Sequence, residues 1–278
     1  TGLSGFAQEF PDRFFDVGIA EEHAVTFAAG LAAGGCTPVV ALYATFLQRA
    51  YDQVIHDVCL QNLPVVLAVD HAGIVGSDGP THSGQFAFST LRHIPGLTLL
   101  APSDAGELKE MLAWAIAARR PCAIAYPKGA AIPARACEAA PPLSPGRSRR
   151  LREGHDVVIF AAGAMAGVAE VAADLLLQKG RSAAVIDARF IKPLDREAIL
   201  AAARKPGRIV TLEENALEGG LGSGALTLLA EEGAAGAELL PLGIGDQYVE
   251  QGERSEMLAS LGLDAASVAR RILDRFRF

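Results

Sequence analysis

Residues 38–70 read PVVALYATFLQRAYDQVIHDVCLQNLPVVLAVD. Two short apolar runs, Pro38 to Leu42 and Pro64 to Asp70, flank a segment from Phe46 to Gln61 that reads as a helix. Unalternating runs of this length suit parallel strands buried on both faces. Strand, helix, strand predicts a parallel unit with its helix laid over the sheet. The pattern extends outward. Upstream, Phe15 to Gly18 reads as a short strand and Ile19 to Leu31 as a helix closed by Gly34-Gly35. Downstream, Leu97 to Ala101 and Cys122 to Tyr126 read as strands with a helix between them. Asp104 can cap that helix, and Glu107 can reach back to complete a capping box.

A second series follows a change of character. Across residues 131–150, Pro133, Pro141, Pro142 and Pro145 lie among Ala and Arg without periodicity, as in a linker. Val157 to Ala161, Ala183 to Ile186, Arg208 to Leu212 and Glu238 to Leu242 then read as strands, and Ser255 to Phe278 as a helical tail. The 278 residues therefore divide into a domain at 1–130, a linker at 131–150 and a domain at 151–278. The fold class is α/β, each domain a mainly parallel sheet covered by helices.

Composition narrows the function classes. Half of the residues are hydrophobic and only 6% aromatic, which favours α/β layers over an all-β sandwich. With a net charge of −7 and no basic face, nucleic acid is not an expected partner. No apolar run approaches the ~20 residues that span a bilayer, so no membrane partner is expected either. The cysteines, Cys36, Cys59, Cys122 and Cys137, show no C-x-x-C and no metal-ligand spacing. They read as reduced, mostly buried thiols of a cytoplasmic protein, with no metal held by this chain. Residue 1 is Thr and the first Met is Met111, so the chain is expected to be part of a longer product.

Three motifs carry chemistry-bearing residues. Glu21 stands in Ala20-Glu21-Glu22-His23-Ala24, and Phe46 in Tyr43-Ala44-Thr45-Phe46-Leu47-Gln48-Arg49. Asp78 and His82 lie in Gly73 to Gly84, a loop with four glycines and one proline. Taken singly, each has a plain reading: a first-turn helix carboxylate, a core aromatic, a solvated arginine, an idle loop histidine. In this order, together, they resemble the pyrimidine-binding domain of the 1-deoxy-D-xylulose-5-phosphate synthase family of thiamine diphosphate enzymes. The resemblance runs from Gly2 to about Arg275. Beyond the linker it is to the transketolase C-terminal domain, through the string Asp187 to Asp195, Glu213-Glu214-Asn215 and Gly219-Gly220-Leu221-Gly222-Ser223-Gly224.

The resemblance implies roles. Glu21 would bond a pyrimidine ring nitrogen of thiamine diphosphate, sharing a proton with it and so promoting the tautomer that activates the cofactor. Phe46 would stack on the same ring. His82 would shuttle a proton at the acceptor carbonyl, with Asp78 beside it. Tyr43, Arg49, His71 and Lys128 would bind substrate. Magnesium and the diphosphate would be held by a complementary half that nothing in this chain resembles, so the chain alone is expected to be inactive. The whole enzyme would be a homodimeric transferase condensing pyruvate, with decarboxylation, and glyceraldehyde 3-phosphate for isoprenoid precursor and thiamine biosynthesis. Two other readings stay open. One is a subunit of a split transketolase-like or 2-oxo acid dehydrogenase-like enzyme with a different acceptor. The other is a non-catalytic subunit kept for dimerisation or regulation.

The sequence departs from the family at four positions. His71 and Lys128 stand where the synthases have the arginines that grip the acceptor's phosphate, Ala87 replaces an aspartate, and Thr90 stands where tyrosine is common. Lys128 keeps the charge without the bidentate fork, and His71 cannot reproduce that geometry. The acceptor aldehyde is therefore left open. The glycine string at 219–224 reads as a tight strand-to-helix turn at a subunit contact rather than an anion site. His23 and His56, within helices, read as structural.

Overall fold

The computed structural model of the chain describes residues 2–129, 142–234 and 236–278. The first strands, β1 (Val39–Tyr43), β2 (Val66–Asp70), β3 (Thr98–Leu100) and β4 (Cys122–Ala125), lie parallel in the order β1-β2-β4-β3. A second sheet contains β5 (Arg149–Arg152), β6 (Val157–Ala161) and β7 (Ala183–Asp187). The next strand in the chain, β8 (Phe190–Lys192), leaves that sheet, while β9 (Arg208–Ala216) and β10 (Glu238–Ile244) complete it in the order β10-β9-β6-β7-β5. The short apolar runs behave as their composition requires: β3, β4, β6 and β7 are buried at every position. The α/β class read from the sequence is the fold observed.

β8 pairs antiparallel with β3 and so becomes the edge of the first sheet. Phe190 is fully buried there, edge-on to Trp114 with ring centroids 5.7 Å apart. Just before it, the Arg189 backbone is left-handed (φ +55°), and its side chain is fully buried. Arg189 Nε donates to Glu107 Oε1 at 2.7 Å, and Arg149 Nη1 reaches the same oxygen at 3.4 Å. Asp187 is buried as well. Desolvation, followed by the charge of Glu107, pushes its carboxyl well above the ordinary carboxylate range. Two arginines and two acidic side chains thus meet where the sheets join.

Several local expectations are corrected. Phe15 to Gly18 is not a strand; no neighbouring strand takes it, and Phe15 is 56% exposed. The Phe46 to Gln61 segment is helical but broken into short α and 3-10 turns and a π turn at Val54–Cys59. The wider π turn keeps Val54, Val58 and Cys59 together on the buried side. The tail is two helices, Arg254–Ser260 and Ala265–Arg275, separated at Gly262 (φ +67°) and restarted by Asp264, which accepts from Ser267 N. Asp104 does cap the helix Ala105–Ala118; Glu107 accepts from Ser103 Oγ at Oε2 and from Arg189 at Oε1. Cys59 and Cys122 are buried and Cys36 is exposed; Cys137, Pro133 and most of the expected linker lie outside the described residues.

Breaking a buried ion pair from one side leaves an uncompensated charge and costs about 3–5 kcal/mol. Arg189→Met should lower the unfolding free energy by about that amount in urea titration. A loss below about 1 kcal/mol would mean that Phe190 packing, not charge, holds the sheets together.

Candidate active site

In an open parallel sheet, residues just past the carboxyl ends of adjacent strands converge on one crevice. Here β1 ends at Tyr43, β2 at Asp70 followed by His71, and β4 leads into Tyr126 and Lys128. These strands are neighbours in the order β1-β2-β4, so the three segments meet. Tyr43 and His71 stack with ring centroids 3.7 Å apart, and Tyr43 stacks on Phe46 at 5.5 Å. The two also line a cavity of about 370 Å³. His71 is left-handed (φ +60°) and nearly buried, with Nδ1 3.0 Å from Asp70 Oδ1.

Glu21 is the first residue of the helix Glu21–Ala33, where the helix dipole favours a negative charge. It is 4% exposed, and Arg49 Nη1 donates to its Oε1 at 3.3 Å. The same guanidinium lies 5.3 Å from the Phe46 ring centroid. Glu21, Arg49, Phe46, Tyr43 and His71 therefore form one continuous chain of contacts.

The glycine-rich loop closes over this chain. Gly73 and Gly84 exchange backbone hydrogen bonds of 3.0 and 2.9 Å, making a narrow neck. A Cβ on Gly84 would sit 1.9 Å from the His71 carbonyl oxygen, so only glycine fits there. Beyond the neck, Lys128 Nζ donates to Asp78 Oδ1 at 2.5 Å, and His71 Nε2 lies 3.8 Å from Asp78 Oδ2. The Lys128 hydrogen bond holds the Asp78 carboxyl below its ordinary value. Thr45 Oγ1 donates to the Thr81 carbonyl at 3.2 Å, and the Thr81 hydroxyl shares a hydrogen bond of 3.0 Å with His82 Nδ1. His82 meets the Phe46 ring edge-on at 5.4 Å, leaving Nε2 as the nitrogen not engaged by Thr81.

All eight residues singled out from the sequence, Glu21, Tyr43, Phe46, Arg49, His71, Asp78, His82 and Lys128, fall within this contact network. Of the four departures, His71 and Lys128 meet at Asp78. Ala87 is packed in the core, and Thr90 Oγ1 donates to the Phe86 carbonyl at 2.9 Å. Sequence reasoning missed Thr45, which bonds the loop at Thr81, and Asp70, which accepts from the His71 backbone N–H. Thr45 lay inside the quoted aromatic motif, and Asp70 is the acidic end of an apolar strand. Among the described residues no three His, Cys, Asp or Glu side chains converge as a metal site. No described helix is long and apolar enough to cross a membrane.

Comparison with known proteins places the chain in a family. The profile described as "Transketolase, pyrimidine binding domain" matches residues 1–132, and "Transketolase, C-terminal domain" matches residues 146–268. A solved "Split gene transketolase, inactive beta4 tetramer" is 32% identical with a TM-score of 0.87, over 99% of this chain and 88% of that one. The chain belongs to the transketolase family. Within it, the chain is 58% identical over 97% of its length to 1-deoxy-D-xylulose-5-phosphate synthase 1 of Geobacter sulfurreducens, and 51% identical over 99% to the synthase of Pelotomaculum thermopropionicum. It spans less than half of these curated relatives, 42% and 43% of their lengths. A transketolase from Campylobacter jejuni shares the fold with a TM-score of 0.77 at 19% identity.

The family's glycine string is a structural turn. Glu213, fully buried, accepts from Leu221 N and Gly222 N at 2.8 Å each, occupying the helix start where an anion could otherwise bind. Burial pushes its carboxyl up to about 8, against the pull of those N–H groups and Arg92.

The Asp78 clamp is directly testable. With Lys128→Met the principal donor is gone, and the Asp78 carboxyl should titrate higher, back towards the ordinary ~3.9, in a carboxyl-carbon NMR titration. An unchanged Asp78 titration would show that Lys128 does not hold it in solution.

Proposed function

We propose that the chain is the pyrimidine-binding and C-terminal portion of a 1-deoxy-D-xylulose-5-phosphate synthase-like transferase using thiamine diphosphate. Residues 1–130 face the cofactor, 131–150 connect, and 151–278 brace the first domain. The observation that carries this reading is the single contact chain from buried Glu21 through Arg49, Phe46 and Tyr43 to His71, with His82 at the Phe46 edge.

The donor set suits an aminopyrimidine: a buried carboxyl for a ring nitrogen and an aromatic face beside it. Thiamine diphosphate, when bound, supplies the carbanion chemistry that lets pyruvate lose carbon dioxide. Glu21 holds a proton at the ring nitrogen, and Arg49 gives that carboxylate its counter-charge. Phe46 orients the ring by stacking. His82, fixed at Nδ1 by Thr81, delivers a proton from Nε2 to the carbonyl oxygen of the acceptor. Asp78, Lys128, His71 and Tyr43 position the acceptor, with Lys128 supplying a cation for its phosphate. Magnesium and the diphosphate would be held by a complementary half, fused or separate, in a homodimeric cytoplasmic assembly. Products would feed isoprenoid precursor and thiamine biosynthesis.

The likeness to a split-gene transketolase favours a second reading, in which the complementary half is a separate polypeptide. A subunit kept only for dimerisation is a third, and Glu21 decides against it or for it.

Two measurements test the reading. The chain assembled with its complementary half, thiamine diphosphate and magnesium should turn over pyruvate, and the chain alone should not. In that assembly Glu21→Ala should reduce kcat by about 10²–10⁴; an unchanged kcat would leave only the scaffold reading. Glyceraldehyde 3-phosphate should be preferred over unphosphorylated glyceraldehyde, and equal rates would mean that His71 and Lys128 form an acceptor pocket for a different aldehyde.

A further inference from the structure

The loop that carries Asp78 and His82 is gripped from outside its own domain. At its neck, Ile74 N donates to Glu214 Oε2 at 3.1 Å, although 140 residues separate the two. Glu214 fits so closely that a Cβ on Gly73 (φ +83°) would lie 2.8 Å from Oε2. The other carboxylate oxygen is paired with Arg254 Nη2. On the far side of the neck, Gln85 Nε2 donates to the Gln247 carbonyl at 3.0 Å, and Ala216 N donates to the Gln85 carbonyl at 2.7 Å. Along the loop, Gly252 N donates to the Gly76 carbonyl at 3.3 Å, and a Cβ on Gly79 would stand 3.4 Å from Gln251 Cβ. Residues 214–216 and 247–254 thus hold both strands of the neck and the outer surface of the loop. The inner surface is left to Asp78, Thr81 and His82.

We propose that Glu214 and Arg254 are positioning residues for the acceptor step, acting through the 73–84 loop on Asp78 and His82. This rests on the proposed role of that loop. A carboxylate is the strongest acceptor available for the Ile74 N–H, and a guanidinium on its second oxygen fixes its rotamer. The pair anchors the loop at one defined height above the Phe46 ring. Neither side chain touches the residues assigned to the cofactor. The second domain therefore tunes acceptor handling separately from cofactor activation.

The test is amide hydrogen exchange on the full chain, read by mass spectrometry, for Glu214→Ala, Arg254→Ala and Arg254→Lys. Peptides covering residues 74–83 should exchange at least tenfold faster in the two alanine variants and recover much of their protection in Arg254→Lys. The helices Met165–Gln178 and Ala265–Arg275 should keep wild-type rates. In the assembled enzyme the alanine variants should lose at least tenfold in kcat/KM for the acceptor aldehyde, with cofactor affinity changed less than twofold. Wild-type exchange in the loop, or faster exchange spread over the whole chain, would overturn the proposal. So would a loosened loop with unaltered acceptor kinetics. If Glu214→Ala does not fold, Arg254→Ala carries the test, since its side chain is 37% exposed. The exchange arm needs no turnover: a loosened loop in an assembly that does not react with pyruvate would overturn the proposed reaction and leave the clamp standing.

Discussion

A fully buried arginine is the fixed point of this molecule. Arg189 is buried against Glu107, which Arg149 also reaches, and a charge taken out of water needs such a partner. Asp187 completes the set, its carboxyl pushed well above the ordinary range by burial. Apolar residues could fill the same volume at lower desolvation cost, but they would tolerate several arrangements. The charges tolerate one. They set where the chain crosses from the second sheet to the first, so Phe190 enters its place beside Trp114 and β8 finds β3.

With the two sheets locked, the crevice past β1, β2 and β4 has a fixed floor and a fixed roof. The floor is built within the first sheet: Glu21, Arg49, Phe46, Tyr43 and His71 contact one another in sequence. The roof is the glycine-necked loop, whose polar inner side meets Lys128 and Thr45 and whose outer side meets the second domain. This division separates two demands on one site. In the proposed reaction, residues beneath would face a flat heteroaromatic ring and need an apolar, rigid bed. Residues above would face a small polar aldehyde and need precise height rather than bulk.

Much of this could be read in the chain itself. Buried parallel strands have no exposed face, so Pro38 to Leu42, Pro64 to Asp70 and Val157 to Ala161 betray themselves as unbroken apolar runs. The Asp104 cap is local, and so was visible. Glu21, Phe46 and His82 stood in three short strings of neighbours, and the fold brings those strings into one contact network. What stayed hidden was everything set by distant partners. Three residues of β8 carry too little pattern to announce a strand, and nothing near them points to β3. Phe15 to Gly18 has the composition of a strand but no neighbour to pair with. Glu107 was read only for its local capping role, and its bond to a charge 82 residues away could not be seen. Glu214 was visible as one of three polar residues ending an apolar strand, but its grip on Ile74 belongs to the tertiary structure alone.

The crossing of β8 also bears on how a gene of this kind can be divided. A polypeptide ending before Phe190 would present β3 as a bare edge, with unpaired N–H and C=O groups and an empty slot beside Trp114, an invitation to aggregation. The two domains are therefore poor candidates for separate inheritance. The split-gene transketolase matches this chain across both of them, over 88% of its own length. Whatever is cut from such a chain, the strand exchange keeps the two sheets a single packing unit.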